Sequence, residues 1–350
     1  MNIKDMCLTG EETIVEAMKK MDEAGGAVVF ITDGDILKAV VSDGDVRRWI
    51  LKGGDIQESV SRIACYNPVV ITKDSKRLAK QIMKEREIDG VPVVDSEGRI
   101  VKAYLWNEDF ADLRDTSLED VPVVMMAGGK GTRLYPYTKI LPKPLIPVGE
   151  QPIAEMIMDR LNVCGCKNFY LILNHKKNMI KAYFNEVEKP YTVHYVDEDQ
   201  PLGTGGGVRL LKGKIDKTFI LTNCDIIIDD DYRTIYSHHK EQGNLITMIV
   251  SLRNYQVPYG VVEIGENGEV AAMKEKPEFS YFTNTGTYIV EPEVIDMIGE
   301  GEEIGFPDVV ERVMASGKKA GVFPIHENAW MDMGQLDELG KMEMRLAERS

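Results

Sequence analysis

With 350 residues, 43% of them hydrophobic and 28% charged, the chain is long enough for two or three domains around packed cores. Its formal net charge of −15 argues against a nucleic-acid partner, which demands a basic face, and no apolar stretch approaches the ~18 residues of a membrane span. Five scattered cysteines and a start without a charged-then-apolar leader set the expectation of a reduced, cytoplasmic protein.

The first elements in chain order form a tandem repeat. An offset of 64 residues, the step from Ile36 to Ile100, aligns Ile36-Leu37-Lys38-Ala39 with Ile100-Val101-Lys102-Ala103. The same step pairs Gly26 with Gly90, Gly34 with Gly98 and Asp45 with Asp109. In the first copy, Ile14, Ala17, Met18 and Met21 recur at helical spacing and predict a helix over Thr13–Ala24. Strands are expected at Ala27–Ile31 and Ile36–Val41 across an acidic turn, and again at Val91–Val94 and Ile100–Leu105. A copy of about 60 residues has little interior of its own, and two packed together would complete one core.

The second strand of the first copy runs into Ser42-Asp43-Gly44-Asp45, and that of the second into Trp106-Asn107-Glu108-Asp109. With its Ser/Thr-x-x-Asp ending, the repeat resembles a CBS domain pair over residues 1–115, its copies at about 1–60 and 65–115. The resemblance implies an α+β module that binds adenosine nucleotides in the clefts between copies, with Ser42, Asp45 and Asp109 as ligand contacts. Trp106 departs from that pattern. An Asp opening a helix is also a favourable cap, and dimerisation through the paired modules is the other role open to this segment. The polar residues 116–121 read as a linker.

From residue 122 the pattern changes to strands alternating with helices, which predicts an α/β domain over 122–350 with a Rossmann-like, mixed but mainly parallel sheet. Val123–Ala127 suits a buried central strand, followed by strands at Phe169–Leu173 and Thr218–Thr222 and helices at Ile153–Cys164 and Asn178–Glu188. The first strand leads directly into Ala127-Gly128-Gly129-Lys130-Gly131-Thr132-Arg133. This is neither a dinucleotide fingerprint nor a P-loop, yet glycines after a strand let backbone N–H groups approach phosphates, and Arg133 adds a charged donor fork. Pro142 and Pro144 flank Lys143 and restrict the backbone that presents it.

The run Gly131-Thr132-Arg133-Leu134-x-Pro136-x-Thr138-x-x-x-Pro142-Lys143-Pro144 is similar to the signature of sugar-1-phosphate nucleotidyltransferases, and the likeness extends over residues 122–345. Leu202-Gly203-Thr204-Gly205-Gly206-Gly207 resembles the family's segment near the nucleobase, with Gly205 where the family has alanine. Asn223-Cys224-Asp225 and Trp330-Met331-Asp332-Met333-Gly334 resemble its two metal-binding segments. Tyr259-Gly260-Val261-Val262, Glu275-Lys276-Pro277 and Asn284-Thr285-Gly286 resemble its sugar and sugar-phosphate contacts.

The resemblance implies transfer of a nucleotide from a nucleoside triphosphate to a sugar 1-phosphate, releasing pyrophosphate, with Mg²⁺ held by Asp225 and Asp332. Arg133, Lys143 and Asp225 are then the catalytic candidates. Ala127, Gly128, Gly129, Gly131, Thr132, Arg133, Gly203 and Thr204 would contact the nucleotide. Gly260, Glu275, Lys276, Asn284 and Gly286 would contact the sugar phosphate. The likeness is strongest to guanylyl-transferring members acting on mannose or glucosamine 1-phosphate, including the CBS-bearing type of bacterial nonulosonic (legionaminic) acid routes. GTP is therefore favoured, with uridylyl, cytidylyl and thymidylyl transfer open, and a homo-oligomer is expected.

Plainer readings stand beside these. Asp225, near Asp229-Asp230-Asp231, could belong to a solvated acidic turn, Lys276 could be a surface lysine, Asp332 could cap a helix, and the glycines around Thr204 could make a tight turn. The five histidines lack a nucleophile partner, and Cys164-Gly165-Cys166 lacks a second ligand pair and reads as packing. A non-catalytic nucleotide sensor is the alternative of another class. No hexapeptide repeats follow the second half, so a fused acetyltransferase is not expected.

Overall fold

Two helices of the N-terminal half begin in the same way. At Ile14–Glu23, the Thr13 hydroxyl accepts the Glu16 N–H at 3.2 Å while the Glu16 carboxylate reaches back to the Thr13 N–H at 2.6 Å. Ser42 and Asp45 form the same reciprocal box at Asp43–Leu51, so two otherwise orphaned backbone donors are satisfied at each start. Ser42 is thus the cap, and Asp45, expected to cap, is the third residue of the helix. The stripe Ile14, Ala17, Met18 and Met21 is buried, as its spacing predicts.

The computed structural model describes residues 3–24, 26–75, 78, 79, 82, 83, 86, 88–106, 118–334 and 340. It divides into two units, Met1–Asp115 and Thr116–Ser350. In the first, β1 (Cys7–Leu8), β2 (Val28–Asp33) and β3 (Ile36–Ser42) form one sheet, with β1 parallel and β3 antiparallel to β2. β4 (Gly90–Val94) and β5 (Ile100–Leu105) form a second antiparallel pair. Gly34 and Gly98 occupy the two turns with φ of 61° and 80°, where a side chain would be strained. Asp109 and residues 116 and 117 of the expected linker lie outside the described residues.

The second unit continues with β6 (Val123–Met126), β7 (Pro147–Val148), β8 (Gln151–Pro152), β9 (Asn168–Leu173), β10 (Thr192–Asp197), β11 (Phe219–Asn223) and β12 (Ile226–Ile228). It ends with β13 (Ile246–Gln256), β14 (Val261–Ile264), β15 (Val270–Lys274), β16 (Glu278–Val290), β17 (Ala320–Ile325) and β18 (Trp330–Asp332). Seven strands share one sheet in the order β10-β9-β6-β11-β16-β13-β17. The β10–β9, β9–β6, β6–β11 and β13–β17 pairs are parallel, and β16 runs antiparallel to both its neighbours.

Parallel neighbours require crossovers, which the helices Ile153–Val163 and Lys177–Glu186 provide on either side of β9. The second is shorter than expected because Val187 turns extended. Alternation along β6 feeds two cores. Val123 and Met125 face one with Phe169 and Ile220, and Val124 faces the other with Ile172 and Leu221. The two crossover helices cover the first core and Phe306–Ala315 covers the second. Among the described residues no helix is long and apolar enough to cross a membrane.

A buried polar network ties the helix Tyr232–Gln242 to the sheet. His239 is fully buried, with Nδ1 at 2.8 Å from Thr247 Oγ1 and Nε2 at 3.1 Å from Glu291 Oε1, which also accepts from Lys240 at 2.7 Å. Burial pushes the imidazole below its ordinary pKa, against the opposing pull of Glu291. The unfolded chain then takes up this proton more readily than the folded one. The stability it contributes is therefore present above about pH 6.5 and is lost as pH falls toward the folded value. Thermal unfolding followed through this window should show stability falling by up to about 1.4 kcal/mol per pH unit. His239→Gln should flatten that dependence, and an unchanged slope in the variant would assign it to another group.

Candidate active site

The glycine loop leaves the C-terminal end of β6 and is held from behind. Ala127 N–H donates to the Ile172 carbonyl at 2.9 Å and His175 N–H to that of Gly128 at 3.2 Å. A Cβ on Gly128 would stand 3.1 Å from both Asn174 Cβ and Glu198 Oε2, so close approach of three segments accounts for this glycine. Gly131 takes a left-handed φ of 63° and opens the short turn Thr132–Leu134, in which Leu134 is buried and Arg133 exposed. Gly129 and Thr132 are exposed.

Two aspartates far apart in sequence meet through β-pairing. β12 and β18 form an antiparallel ribbon that sets Ile226 opposite Asp332, and Met333 N–H donates to the Asp225 carbonyl at 2.9 Å. Asp225 is only 6% exposed, so it is no member of a solvated turn. The neighbouring acids have other work: Asp229 pairs with Arg160 at 3.0 Å, and Asp231 caps the next helix.

Lys143 Nζ donates to Asp225 Oδ2. Burial opposes its ammonium, yet Cys224, Asp225 and Asp332 raise its pKa above the usual lysine value. Burial, then the Asp225 charge, raises the Asp332 carboxyl, while the Gly334 N–H at 2.7 Å, Lys143 and Arg133 pull the other way. Asp225 and Asp332 thus share a partly dry site in which each carboxylate opposes the other's charge, an arrangement that a bound cation would relieve.

A cavity of about 320 Å³ brings Arg133, Thr204, Asp225, Asn284, Gly286 and Asp332 together. Phe306 and Pro307 also line it, and no motif in the sequence had pointed to them. They arrive through the glycines around Thr204. A Cβ on Gly206 would lie 2.1 Å from the Glu302 carbonyl oxygen, one on Gly203 2.5 Å from that of Ile304, and one on Gly205 2.9 Å from that of Gly305. Gly205 N–H and Ile304 N–H bond across this contact at 2.8 and 2.9 Å, and the Thr204 hydroxyl accepts from Phe306 N–H at 3.0 Å. These glycines therefore serve close backbone packing, and the Gly205 departure from alanine is explained by the Gly305 carbonyl and Val309.

The remaining sugar-side candidates lie elsewhere. Gly260 and Glu275 adjoin at the β14–β15 hairpin, where Glu275 Oε2 is 3.0 Å from the position of a Cβ on Gly260. Lys276 follows, exposed and with a left-handed φ of 44°. None of the three lines the cavity. One further residue escaped the sequence reading. Glu198 is buried between the glycine loop and Leu202, its Oε1 accepting Leu202 N–H at 2.9 Å. Burial raises its carboxyl, partly offset by that N–H. The available signal was an acid four residues ahead of Leu202.

The family model for nucleotidyl transferases matches residues 122–349, the whole of the sheet, loop and ribbon just described. The chain belongs to the nucleotidyl transferase family. It is 30% identical over 235 residues to a UTP–glucose-1-phosphate uridylyltransferase of Synechocystis, covering 61% of this chain and 60% of that one. It is also 30% identical over 219 residues to a mannose-1-phosphate guanylyltransferase of Mycobacterium tuberculosis, covering 61% of each. The chain thus spans about 60% of the length of these relatives. A crystal structure of HddC from Yersinia pseudotuberculosis complexed with GMP-PN superposes with a TM-score of 0.51 at 22% identity, over 65% of this chain and 99% of the other. That likeness shows the nucleotidyl transferase fold, in which the Asp225–Asp332 ribbon and the loop stand at one end of the sheet.

Proposed function

We propose that the chain condenses a sugar 1-phosphate with a nucleoside triphosphate to give a nucleoside diphosphate sugar and pyrophosphate. The observation that carries this reading is the β12–β18 ribbon, which faces Asp225 and Asp332 into the cavity that Arg133 also lines. A sugar-phosphate oxygen forms the new bond to the α-phosphorus, and the bond from that phosphorus to the bridging oxygen of the β-phosphate breaks. The nucleophile is already an anion, so the chain need move no proton. Its task is to position two anions and neutralise their repulsion.

Arg133 and the amides of Gly128, Gly129, Gly131 and Thr132 would take the terminal phosphates, and Lys143 the α-phosphate, while Ala127, whose N–H is spent on the Ile172 carbonyl, would only set the start of the loop. Lys276, with Gly260, Glu275, Asn284 and Gly286, would hold the sugar phosphate. Among the described residues no group of three or more His, Cys, Asp or Glu could hold a metal. A pair of carboxylates nevertheless fits Mg²⁺, which is commonly bound by one or two carboxylates plus substrate oxygens and water. Asp225 and Asp332 would hold it, and bound there it would supply positive charge against the phosphates.

Within this reading we favour GTP, with mannose or glucosamine 1-phosphate as its partner. The guanylyltransferase relative supports the choice, and Glu198, packed beside the glycine loop though not in the cavity lining, is the proposed reader of the base, since a carboxylate only accepts and a guanine edge offers two adjacent N–H donors. The uridylyltransferase relative keeps other bases in the comparison. An activity matrix of four triphosphates against several sugar 1-phosphates tests the assignment, GTP giving the highest kcat/KM. Glu198→Gln should lower the GTP-to-UTP selectivity roughly tenfold or more, because the amide sets a donor against a donor. Unchanged selectivity would remove Glu198 from base reading.

We further propose that residues 1–115 are a CBS pair joined by the linker 116–121, regulating or dimerising a cytoplasmic homo-oligomer. Ser42, Asp45 and Asp109 are the proposed contacts for an adenosine nucleotide. Asp45 Oδ2 is bonded to Ser42 N–H and Oγ at 2.9 and 2.7 Å and its Oδ1 to Arg48 at 2.5 Å, so ribose would compete with these partners. Equilibrium titration with AMP and ATP tests this assignment.

A further inference from the structure

The loop after β9, Asn174-His175-Lys176, grips the triphosphate segment from outside the cavity. Lys176 Nζ donates to the carbonyls of Thr138, Lys139 and Ile140 at 2.9, 2.7 and 3.0 Å. These close the short helix Tyr137–Ile140, so they are acceptors that a helix end leaves without intrahelical partners, at its negative pole. An ammonium has three donors, and all three are placed on backbone here. Lys176 also holds a left-handed φ of 53°, uncommon for a residue with a side chain and sustained only where the surroundings fix it.

What Lys176 holds is the scaffold of the loop. Thr138 Oγ1 donates to the Gly131 carbonyl at 2.8 Å, and Gly131 begins the turn that carries Arg133. Lys143 Cβ lies 3.1 Å from where a Cβ on Gly131 would stand, so the turn and the Lys143 segment are packed together. On the other side of the same β9 loop, His175 N–H holds the Gly128 carbonyl.

We propose that Lys176 is a positioning residue for nucleotide transfer. Its ammonium braces residues 138–140 and, through Thr138 and Gly131, fixes the loop that presents Arg133 and Lys143 to the triphosphate. The kinetic consequence rests on the nucleotidyl-transfer reading, whereas the bracing itself does not.

Lys176→Met keeps the aliphatic stem and removes the ammonium, and Lys176→Gly also relieves the left-handed strain. Backbone hydrogen exchange of the full chain is measured first, since it needs no turnover. Both variants should lose protection across residues 131–143, with the strands β9 and β11 unchanged. Steady-state kinetics with GTP and a sugar 1-phosphate should then show the KM for GTP raised roughly tenfold and that for the sugar phosphate within about twofold of wild type. Unchanged exchange over 131–143 would overturn the proposal, as would equal rises in both KM values or loss of cooperative unfolding of the whole domain. Altered exchange in the variants alongside a wild-type chain that turns over no substrate pair would uphold the brace and defeat the nucleotidyl-transfer reading instead.

Discussion

Asp225→Asn should lower turnover by on the order of 10²–10³-fold while leaving the domain folded. The substitution preserves size and leaves a carbonyl oxygen to accept from Lys143 Nζ, so the buried lysine keeps a partner. Asp225→Ala is the poorer test, because stripping one member of a buried ion pair costs about 3–5 kcal/mol and would mix unfolding with lost chemistry. What Asn removes is one of the two charges that the β12–β18 ribbon brings together. Asp332→Asn should behave alike, and the double variant should fall little further than either single one, since residues acting as a unit are not additive. Kinetics at saturating Mg²⁺, with circular dichroism as the control for folding, measure this. Near wild-type turnover in either variant would mean that the two carboxylates are not the cation site.

The second large effect is on stability. Gly206→Ala would place a methyl 2.1 Å from the Glu302 carbonyl oxygen and 2.8 Å from Leu202 Cβ, and neither neighbour is a flexible side-chain tip. Backbone must shift, at a cost of about 1–3 kcal/mol or more, which lowers Tm by roughly 2–12 °C in a domain of this size. Because the displaced segment bonds to Thr204 and carries Phe306 and Pro307 into the cavity, the KM for the triphosphate should rise as well. Gly129→Ala is the useful contrast. Nothing lies within 4 Å of its Cβ position, so stability should stay within about 0.5 kcal/mol while triphosphate binding weakens. Equal melting temperatures for Gly206→Ala and wild type would refute the packing explanation of the glycine segment.

The legible parts of the sequence were those where a local pattern and a chemical need coincide. Val123–Met126 is an unbroken apolar run because both its faces are covered, and two of the glycines beyond it have structural reasons, close packing at Gly128 and a left-handed φ at Gly131. The repeat around Ile36 and Ile100 shows itself in strands of matching position. Asp225 and Asp332 were found by resemblance to motifs, and their meeting could not be read from spacing, since it depends on pairing between β12 and β18 over a long separation. Phe306 and Pro307 carry no motif at all. They reach the cavity because the glycines at 203, 205 and 206 have no side chains, so the partner that explains those glycines is a backbone remote in sequence. Lys276 and Glu275 matched a motif, yet they stand on an exposed hairpin outside the cavity.

In the proposed reaction the bond from the α-phosphorus to its bridging oxygen breaks and the sugar phosphate takes the nucleotide. Parallel reactions with α-labelled and γ-labelled GTP, each with mannose 1-phosphate or glucosamine 1-phosphate and Mg²⁺, read this directly. The α-label should appear in a nucleoside diphosphate sugar and the γ-label in pyrophosphate. A γ-label found on the sugar or in inorganic phosphate, or no transfer of the α-label with these or any other triphosphate and sugar 1-phosphate, would contradict it.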